Sequence, residues 1–487
     1  MQAGAIRPYI VIYQINTTGM DAKTLKKYNY WQWRTLIILM VGYALFYFVR
    51  KNFSIAMPAL EAELGITKTK LGLFLTLNGV IYGVSRLVNG FLSDRIANKK
   101  GLMALGLLLS AIVNIFIGFI PDVNAFFNFL DTEGKATKGF IYLMGSLWLI
   151  NGWLQGMGYP PCSSLMAHWI RPSELATQQS LWNASHSIGA GLLSLLIGAI
   201  LGYFSNAAWQ WCFWVPAILA IFGAAMIFFG LRNEPHTVGL PSVEEIDREY
   251  SGVAGEKKEE VAESPELTRR IYKRSISEMV LKNPVIWIIS IADFFVYIIR
   301  FTILDWGSTI LTQVKGMDIT LAASVVGAME IIGGILGMLL AGWVTDKFFK
   351  GRAVRTSAIC TLLASLCMLA FWKTPGNVVI SSLLIILSAF FIYGPQALLG
   401  IACSNQATKR AAATANGICG LFCYLSPIVS GIVFGAIADS PHGWDLVFLL
   451  SVIFGVIGAA ILALLWNKPA TGYEKLEKII AEEKAKL

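Results

Sequence analysis

The most constraining feature of this sequence is a series of twelve long apolar blocks, six on each side of one polar stretch. A membrane-spanning helix needs about 20 mostly apolar residues, and continuous blocks argue against a β-barrel, whose strands alternate. The sequence therefore predicts an all-α membrane protein with 12 transmembrane helices. The predicted spans are 34–59, 70–93, 102–121, 139–165, 178–203 and 209–231, followed by 284–312, 321–345, 354–373, 378–404, 411–437 and 443–466.

The apolar blocks divide the chain into five parts. An amino-terminal extension covers 1–33, and the first block begins too far inside the chain to indicate a cleaved signal peptide. Two six-helix halves cover 34–231 and 284–466. The linker 232–283 mixes acidic and basic residues and is predicted to be a solvated, partly disordered tether. A tail covers 467–487.

The charge of the chain is low but positive. Only 14% of the residues are charged, against about 25% in soluble domains, which argues against a soluble enzyme, a disordered protein or a disulfide-rich secreted protein. The net charge is +9, and the short loops after even-numbered spans are richer in Lys and Arg than those after odd-numbered spans. The loops after even-numbered spans hold Arg95, Lys99, Lys100, Arg171, Lys347, Lys350, Arg352, Arg355, Lys409 and Arg410. Cytoplasmic loops are enriched in Lys and Arg, so these loops, both termini and the linker are predicted to be cytoplasmic. No nucleic-acid partner is expected.

A G-x-x-x-D-[R/K] motif ends the second span of each half, which indicates an internal repeat. Glycine permits close approach of helices, aspartate can cap a neighbouring helix, and the basic residue stays in the cytoplasm. We therefore expect a gating or structural role. The motif residues are Gly90, Asp94 and Arg95 in the first half, and Gly342, Asp346 and Lys347 in the second.

Two arginines lie within predicted spans, where a charge is costly. Arg300 follows Arg50 by 250 positions, close to the 252 positions that separate the two motif aspartates. An arginine near the bilayer centre costs about 2.5–3.5 kcal/mol, and snorkelling to the interface would not explain a pair related by the repeat. We predict that both guanidinium groups face one central cavity and bind phosphate, which their planar fork can hold with two hydrogen bonds.

Other polar residues of the spans are candidates for the same cavity. Lys51 either faces the cavity or pairs within the first half, and Arg86 is either a binding residue or a structural partner of the nearby motif. His186 is a candidate for ligand contact or proton response, the alternative being a buried core histidine. Asp305 can orient Arg300, contact the substrate or reach Lys51 across the cavity. Asp293 and Glu330 are predicted to be structural or gating groups.

Two tyrosines of the first span share one helix face. Tyr43 and Tyr47 are four residues apart, and their hydroxyls either bind the ligand or pack in the core. Glycine and proline interrupt the fourth span at Gln155-Gly-Met-Gly-Tyr-Pro-Pro-Cys162 and the tenth at Tyr393-Gly-Pro-Gln396. These are either flexing points or static kinks.

Signs of catalysis or of a bound cofactor are lacking in the sequence. It contains no phosphate-binding loop of the ATPase type, no Ser/His/Asp set and no metal-ligand spacing that stands out. The seven cysteines, including Cys419 and Cys423, are predicted to pack as small apolar residues. We therefore expect neither a metal, nor a cofactor, nor an enzyme.

Several motifs resemble the organophosphate:phosphate antiporters of the major facilitator superfamily. The resemblance covers about 31–466. It is carried by Gly42-Tyr-Ala-Leu-Phe-Tyr-Phe-Val-Arg-Lys-Asn-Phe53, Gln155-Gly-Met-Gly-Tyr-Pro-Pro-Cys162, Trp182-Asn-Ala-Ser-His186, Tyr297-Ile-Ile-Arg-Phe-Thr-Ile-Leu-Asp-Trp306 and Tyr393-Gly-Pro395.

The resemblance implies the major facilitator fold and roles for individual residues. Arginines at the positions of Arg50 and Arg300 clamp the phosphate in this family, and a histidine at the position of His186 contributes to binding. The family commonly has lysine where this sequence has Arg86. Positions that line the family's cavity correspond to Tyr43, Tyr47, Tyr82, Asn183 and Tyr393.

The resemblance also implies a function, and Leu304-Asp-Trp-Gly307 and Tyr393-Gly-Pro-Gln-Ala-Leu-Leu-Gly400 look most like hexose-phosphate transporters and their receptor-like relatives. We expect a monomeric antiporter in a bacterial inner (plasma) membrane that exchanges a sugar phosphate, such as a hexose 6-phosphate, for inorganic phosphate. A glycerol-3-phosphate or phosphoglycerate antiporter, a non-transporting sugar-phosphate receptor and a proton-coupled neutral-sugar symporter remain alternatives. The symporter class normally needs a carboxylate at mid-depth in the first span, where this chain has Arg50.

Overall fold

The computed structural model describes residues 22–123, 128–171, 174–250, 265–441 and 443–486. Inside these ranges a few helical side chains, that of Asp94 among them, lie outside the description. The described chain is helical almost throughout, and its one β-bridge joins Leu130 to Ala136 in a loop. The prediction of an all-α protein is confirmed.

We number the seventeen α-helices of the described residues in chain order. The first half contains α1 (Ala22–Leu64), α2 (Lys68–Arg95), α3 (Lys99–Phe119), α4 (Lys138–Gln155), α5 (Tyr159–Trp169), α6 (Leu175–Phe204) and α7 (Trp211–Gly230). The linker contains α8 (Val243–Tyr250) and α9 (Pro265–Ser275). The second half contains α10 (Pro284–Gln313), α11 (Ile319–Ala328), α12 (Gly337–Phe349), α13 (Ala353–Lys373), α14 (Val378–Pro427), α15 (Phe434–Ala438) and α16 (Gly443–Ala463), and the tail forms α17 (Tyr473–Lys484). Three-residue to four-residue 3₁₀ turns cover Pro121–Val123, Asn206–Ala208 and Pro235–Val238, and π-helical segments cover Ile276–Leu281, Met329–Leu336 and Ile428–Val433.

The helices reproduce the predicted spans, with two differences in where they break. Eleven described helical segments are long and apolar enough to cross a membrane. The remaining predicted span, 139–165, is divided into α4 and α5, because residues 156–158 form a turn and Pro160 and Pro161 begin the next helix. Conversely, α14 runs through two predicted spans and is interrupted at Thr408, whose φ is 59°. We call the second of these spans, Thr414–Ala438, span eleven.

Buried asparagines hold α1 against α3 and α4. The Asn52 amide donates to Oδ1 of Asn114 at 2.8 Å. The amides of Asn114 and Asn151 both donate to the carbonyl of Val49, at 3.3 and 2.8 Å. Hydrogen bonds between helices are a main source of association inside a membrane, where lipid is as apolar as the helix surface. These bonds fix the turn of α1 that carries Arg50.

The two halves meet closely at the end that carries the loops after odd-numbered spans. Gly72 of α2 faces Gly431 of span eleven, where an added Cβ would lie 2.7 Å from the Gly72 carbonyl oxygen. Small residues allow such close crossings. Asp439, just after span eleven, caps the start of α2 by accepting hydrogen bonds from the backbone N–H groups of Lys68 at 3.1 Å and Thr69 at 2.7 Å.

Two further contacts close the same end. Thr320 of α11 donates to the carbonyl of Gly198 in α6 at 3.2 Å, and a Cβ at Gly198 would stand 2.7 Å from Ala323. The Gln313 amide of α10 donates to the Glu61 carboxylate of α1 at 2.6 Å. Three pairs of helices, with one helix from each half, therefore meet at this closed end.

The halves diverge at the end that carries the loops after even-numbered spans. Gly90, Gly342, Gly417 and Gly420 have no described atom within 4 Å of the position of an added Cβ. The structure is thus open at this end and closed at the other. The close helix approach predicted for Gly90 and Gly342 does not occur in this conformation, because the second span of each half faces open space there.

The linker is more ordered than the sequence predicts. Val243 and Ile246 of α8 are buried in a cluster with Tyr28 and Trp169, which lies against the first half. A chain with such buried apolar residues is not a solvated tether, so that prediction is wrong for this part of the linker. Residues 251–264 lie outside the described part of the chain.

The second part of the linker packs against the tail. Leu267 of α9 shares a buried cluster with Leu476 of α17. Arg274 forms ion pairs with Glu278 at 2.7 Å and with Glu483 at 2.9 Å. The hydrogen bond from the guanidinium lowers the pKa of the Glu278 carboxyl. The linker and the tail therefore form one helical pair beneath the second half.

The crossing at Gly72 and Gly431 predicts that a larger side chain will open the closed end. In Gly431→Val the new side chain would collide with the backbone of α2, so the population with this end open should rise. A reporter cysteine introduced by Ser308→Cys, at a position buried against α1, should then react several-fold faster with a membrane-impermeant maleimide. The matched control Gly417→Val meets open space and should not change the rate. Equal rates in both variants would contradict this account of the closed end.

Candidate functional site

The two predicted arginines are held in the same way, one in each half. Nε of Arg50, on α1, donates to Oε1 of Gln155 at 3.0 Å. Nε of Arg300, on α10, donates to Oε1 of Gln396 at 2.6 Å. Among the described residues, neither guanidinium has a carboxylate oxygen within 4.0 Å. Each charge is thus oriented by a neutral amide and is not cancelled.

The sequence interpretation did not assign Gln155 and Gln396 to the site. Both belong to the glycine- and proline-containing motifs of the fourth span in each half, which we interpreted as bends. The shared position of a glutamine in the two motifs is a signal that could have found them. Because each glutamine occupies Nε, the two Nη atoms of its arginine remain for a ligand, and Nη2 of Arg50 is buried without a partner among the described residues. An unsatisfied buried donor costs about 1–3 kcal/mol.

Aromatic rings surround both guanidinium groups. The Arg50 guanidinium lies 4.3 Å from the ring centre of Tyr82 and 4.8 Å from that of Tyr47. The Arg300 guanidinium lies 5.3 Å from the ring of Tyr297 and 5.7 Å from that of Tyr393. Ring faces attract cations without neutralising them, so they lower the cost of burial and leave the charge available.

Lys51 and Asp305 form an ion pair between the halves. Nζ of Lys51 lies 2.5 Å from Oδ1 of Asp305, and both side chains are 12% exposed. Of the alternatives left open by the sequence, the structure selects the contact across the cavity. Lys51 is therefore compensated, unlike the neighbouring Arg50.

His186 lies between the two halves of the site. Its ring is 5.5 Å from that of Tyr47 and 6.5 Å from that of Tyr393. Nδ1 pairs with the backbone carbonyl of Asn183, and since a carbonyl only accepts, Nδ1 carries the proton.

The remaining predicted residues line the same region. Nη1 of Arg86 lies 3.4 Å from the hydroxyl of Tyr424 in span eleven, and its guanidinium lies 4.0 Å from the ring centre of Tyr159. The rings of Tyr82 and Tyr424 are 5.4 Å apart, so Tyr424 is a further site residue that the sequence interpretation missed. The exposed amide of Asn183 lies 3.9 Å from the sulfur of Met338 in the other half.

Tyr43 and Glu330 are the last two candidate residues near the arginines. Tyr43 is buried against Trp182, with ring centres 4.6 Å apart, which favours the packing alternative for this tyrosine. The hydroxyl of Tyr393 donates to the Glu330 carboxylate. Glu330 is thus held by a neutral donor rather than by one of the arginines.

The region has an excess of positive charge. Its cations are Arg50, Lys51, Arg86 and Arg300, and its carboxylates are Asp305 and Glu330. With every group charged, two positive charges remain. That excess matches a phosphate ester, which carries about −1.5 to −2 at pH 7.

The repeated motif lies away from this region, at the open end. The side chains of Arg95, Asp346 and Lys347 are exposed, and that of Asp94 lies outside the described residues. Nζ of Lys347 is 4.6 Å from the ring of Trp343 in its own helix. In this conformation the motif is therefore separate from the charged cavity.

Comparison with known proteins assigns the chain to a family. A family model described as Major Facilitator Superfamily matches residues 39–431. The chain is 33% identical to a probable hexose phosphate transport protein of Chlamydia trachomatis, over 91% of this chain and 92% of that protein. It is 35% identical to the glycerol-3-phosphate transporter of Bacillus subtilis, with 95% and 97% covered. It is 32% identical to the membrane sensor protein UhpC of Salmonella typhimurium, with 91% and 93% covered.

A solved structure shows the same fold. The inward-facing, unoccupied form of a bacterial homolog of the human lysosomal transporter Spinster matches with a TM-score of 0.67 at 15% identity, over 93% of this chain and 98% of that chain. The predicted fold is confirmed by this likeness and by the family match, and the relatives are consistent with the antiporter family that the motifs resemble. This chain is a membrane protein that belongs to the Major Facilitator Superfamily.

Proposed function

We propose that this protein is an antiporter that exchanges a sugar phosphate for inorganic phosphate. The observation that carries the proposal is the pair Arg50 and Arg300, each held at Nε by a glutamine and each without a carboxylate partner among the described residues. One comes from each half, so a phosphate between them would be bound by both halves. Both exchanged ions contain the group that the pair recognises.

The geometry supports bidentate recognition of the phosphate. Each arginine keeps its two Nη atoms for phosphate oxygens, an arrangement that a point charge such as lysine cannot reproduce. Lys51 and Asp305 compensate each other, which leaves Arg50 and Arg300 as the primary ligands. Asn183, His186 and the tyrosines around them offer donors and ring faces to the sugar part.

The conformation supports alternating access. The halves are joined at one end and separated at the other, with the arginines between. We propose that the open end faces the cytoplasm, since its short loops are richer in Lys and Arg than those at the closed end. Phosphate drawn towards both arginines would bring the halves together, and the repeated motif would then reach its partners at the closing end. An empty carrier retains an excess of two positive charges in this region, which disfavours return without a bound anion.

The size of the organic part is the second element of the proposal. We favour a hexose 6-phosphate, because Leu304-Asp-Trp-Gly307 and Tyr393-Gly-Pro-Gln396 resemble hexose-phosphate carriers. The probable hexose phosphate transport protein and the glycerol-3-phosphate transporter match to a similar degree. A glycerol-3-phosphate antiporter is therefore the second candidate, and similarity to a membrane sensor protein makes a receptor the third.

Counterflow in proteoliposomes tests the exchange and the substrate together. Vesicles loaded with inorganic phosphate should accumulate labelled glucose 6-phosphate, and unlabelled glucose 6-phosphate should compete better than glycerol 3-phosphate or 3-phosphoglycerate. Vesicles without internal phosphate should not accumulate the label. Better competition by glycerol 3-phosphate would identify the second candidate, and saturable binding without uptake would identify a receptor. Accumulation driven by a proton gradient without internal phosphate would overturn the antiport proposal.

The arginine pair predicts a specific effect of a conservative change. Arg300→Lys keeps the charge but loses the two-pronged geometry, so the KM for phosphate–phosphate exchange should rise about 10- to 100-fold, the equivalent of one charged hydrogen bond. Lys478→Arg, an exposed side chain on the tail helix α17, is a control for lysine–arginine exchange outside the cavity. Wild-type affinity in Arg300→Lys would contradict the clamp.

The glutamines predict an effect that charge alone would not produce. Gln396→Ala removes one hydrogen bond to Arg300, and the KM for phosphate should rise about 2- to 10-fold. Gln396→Glu should raise the KM further, although it has the same shape, because its carboxylate would compete with phosphate for the guanidinium. The control Gln406→Ala removes an amide that donates to Pro469 outside the cavity. A smaller effect for Gln396→Glu than for Gln396→Ala would show that neutrality at this position is unimportant.

A further inference from the structure

A second polar cluster lies inside the second half, outside the phosphate site. Asp293 of α10 is 3% exposed, and its Oδ2 accepts hydrogen bonds from the thiols of Cys423 at 2.8 Å and Cys419 at 3.1 Å. Its other oxygen, Oδ1, is buried without a partner among the described residues. One ligand atom from each of the three residues lies within 4.8 Å of the others.

A third thiol borders this cluster. Cys403 is fully buried and belongs to the same buried hydrophobic cluster as Cys419. Cys403 lies before the interruption at Thr408, and Cys419 lies after it in span eleven. The cluster therefore joins three transmembrane segments, which are α10 and the two parts of α14.

Packing alone does not account for this arrangement. Thiols are weak hydrogen-bond donors, and a buried carboxylate without a cation or a full set of donors is costly. Among the described residues no basic nitrogen lies within 4.0 Å of Asp293. An ionisable residue inside a membrane is by default a functional candidate, and the phosphate site makes no use of this one.

We propose that Asp293, Cys419 and Cys423 form a binding site for a thiophilic divalent cation, with Cys403 or a water as the fourth ligand. Two thiolates and a carboxylate, completed by a third sulfur or a water, are a ligand set that suits Zn²⁺ and its softer relative Cd²⁺. On binding, the thiols of Cys419 and Cys423 each release one proton to the solvent. The cation then replaces both S–H···O hydrogen bonds with metal–ligand bonds and engages the carboxylate.

The position of the cluster provides a route to it. Gly417 and Gly420, on the same helix as Cys419 and Cys423, face open space, so the open end of the structure reaches this part of span eleven. Asp293 precedes Arg300 by seven residues, which is about two helical turns and places both on one face of α10. A cation entering from the open end would meet the carboxylate before it reached the arginine.

Binding of Cd²⁺ to the purified full-length protein tests the proposal. After treatment with a chelator, the protein in detergent should bind one tight Cd²⁺ per chain, with an ultraviolet thiolate-to-cadmium charge-transfer band, and its Tm should rise. Cys419→Ser and Cys423→Ser should each weaken binding at least about 10-fold, since even changes around metal ligands have effects of this size. Asp293→Asn should also weaken binding but retain the charge-transfer band at saturating Cd²⁺.

Two controls make the result specific. Cys360→Ser and Cys367→Ser remove thiols of α13 that do not belong to the cluster, and both variants should bind Cd²⁺ as the unmodified chain does. Folding of each variant is checked by its elution and Tm without metal. Absence of stoichiometric binding, or unchanged binding in both Cys419→Ser and Cys423→Ser, would overturn the proposal. None of these readouts depends on transport, so the result is independent of the proposed exchange.

Discussion

The central constraint of this structure is the burial of two guanidinium groups with no carboxylate beside them among the described residues. Arg50 and Arg300 are each held by a glutamine oxygen and by aromatic faces. A carboxylate in place of either glutamine would hold its arginine more strongly, but it would also cancel the charge that a phosphate needs. Neutral partners orient the arginines but do not neutralise them. The free-energy cost of burying their charge is then offset only when the proposed phosphate binds.

Each of the two arginines is tied to neighbouring helices of its own half. Arg50 belongs to the turn of α1 that the buried asparagines tie to α3 and α4. Arg300 is tied through Gln396 to the fourth span of its own half. A ligand that needs both arginines would therefore contact both halves, which meet at the glycine crossings of the closed end. The Lys51–Asp305 pair spans the same gap and joins the halves independently of the ligand.

The sequence was informative where a single position has a strong energetic meaning. Long apolar blocks determine the number of spans, and a charge inside a span marks Arg50 and Arg300 regardless of their partners. It was uninformative where partners decide. Gln155 and Gln396 look like parts of bends, and Asp305 had three possible partners until α1 and α10 were placed beside each other. The linker was misjudged because its few apolar residues are buried only by docking on other elements, as Val243 and Ile246 are against the first half.

In the second half of the molecule, one helix carries residues of both proposed sites, which are opposite in kind. On a single face of α10, Arg300 carries a delocalised cation. Two turns earlier, the carboxyl group of Asp293 lies beside two thiols. Tyr297 lies between them in sequence, and its ring is 5.3 Å from the Arg300 guanidinium. Had the two charges been one turn apart, they would have formed an ion pair and neither would be available. Their separation by seven residues leaves the guanidinium to the proposed phosphate and leaves the carboxylate to weak thiol donors, which the proposed metal ion would replace.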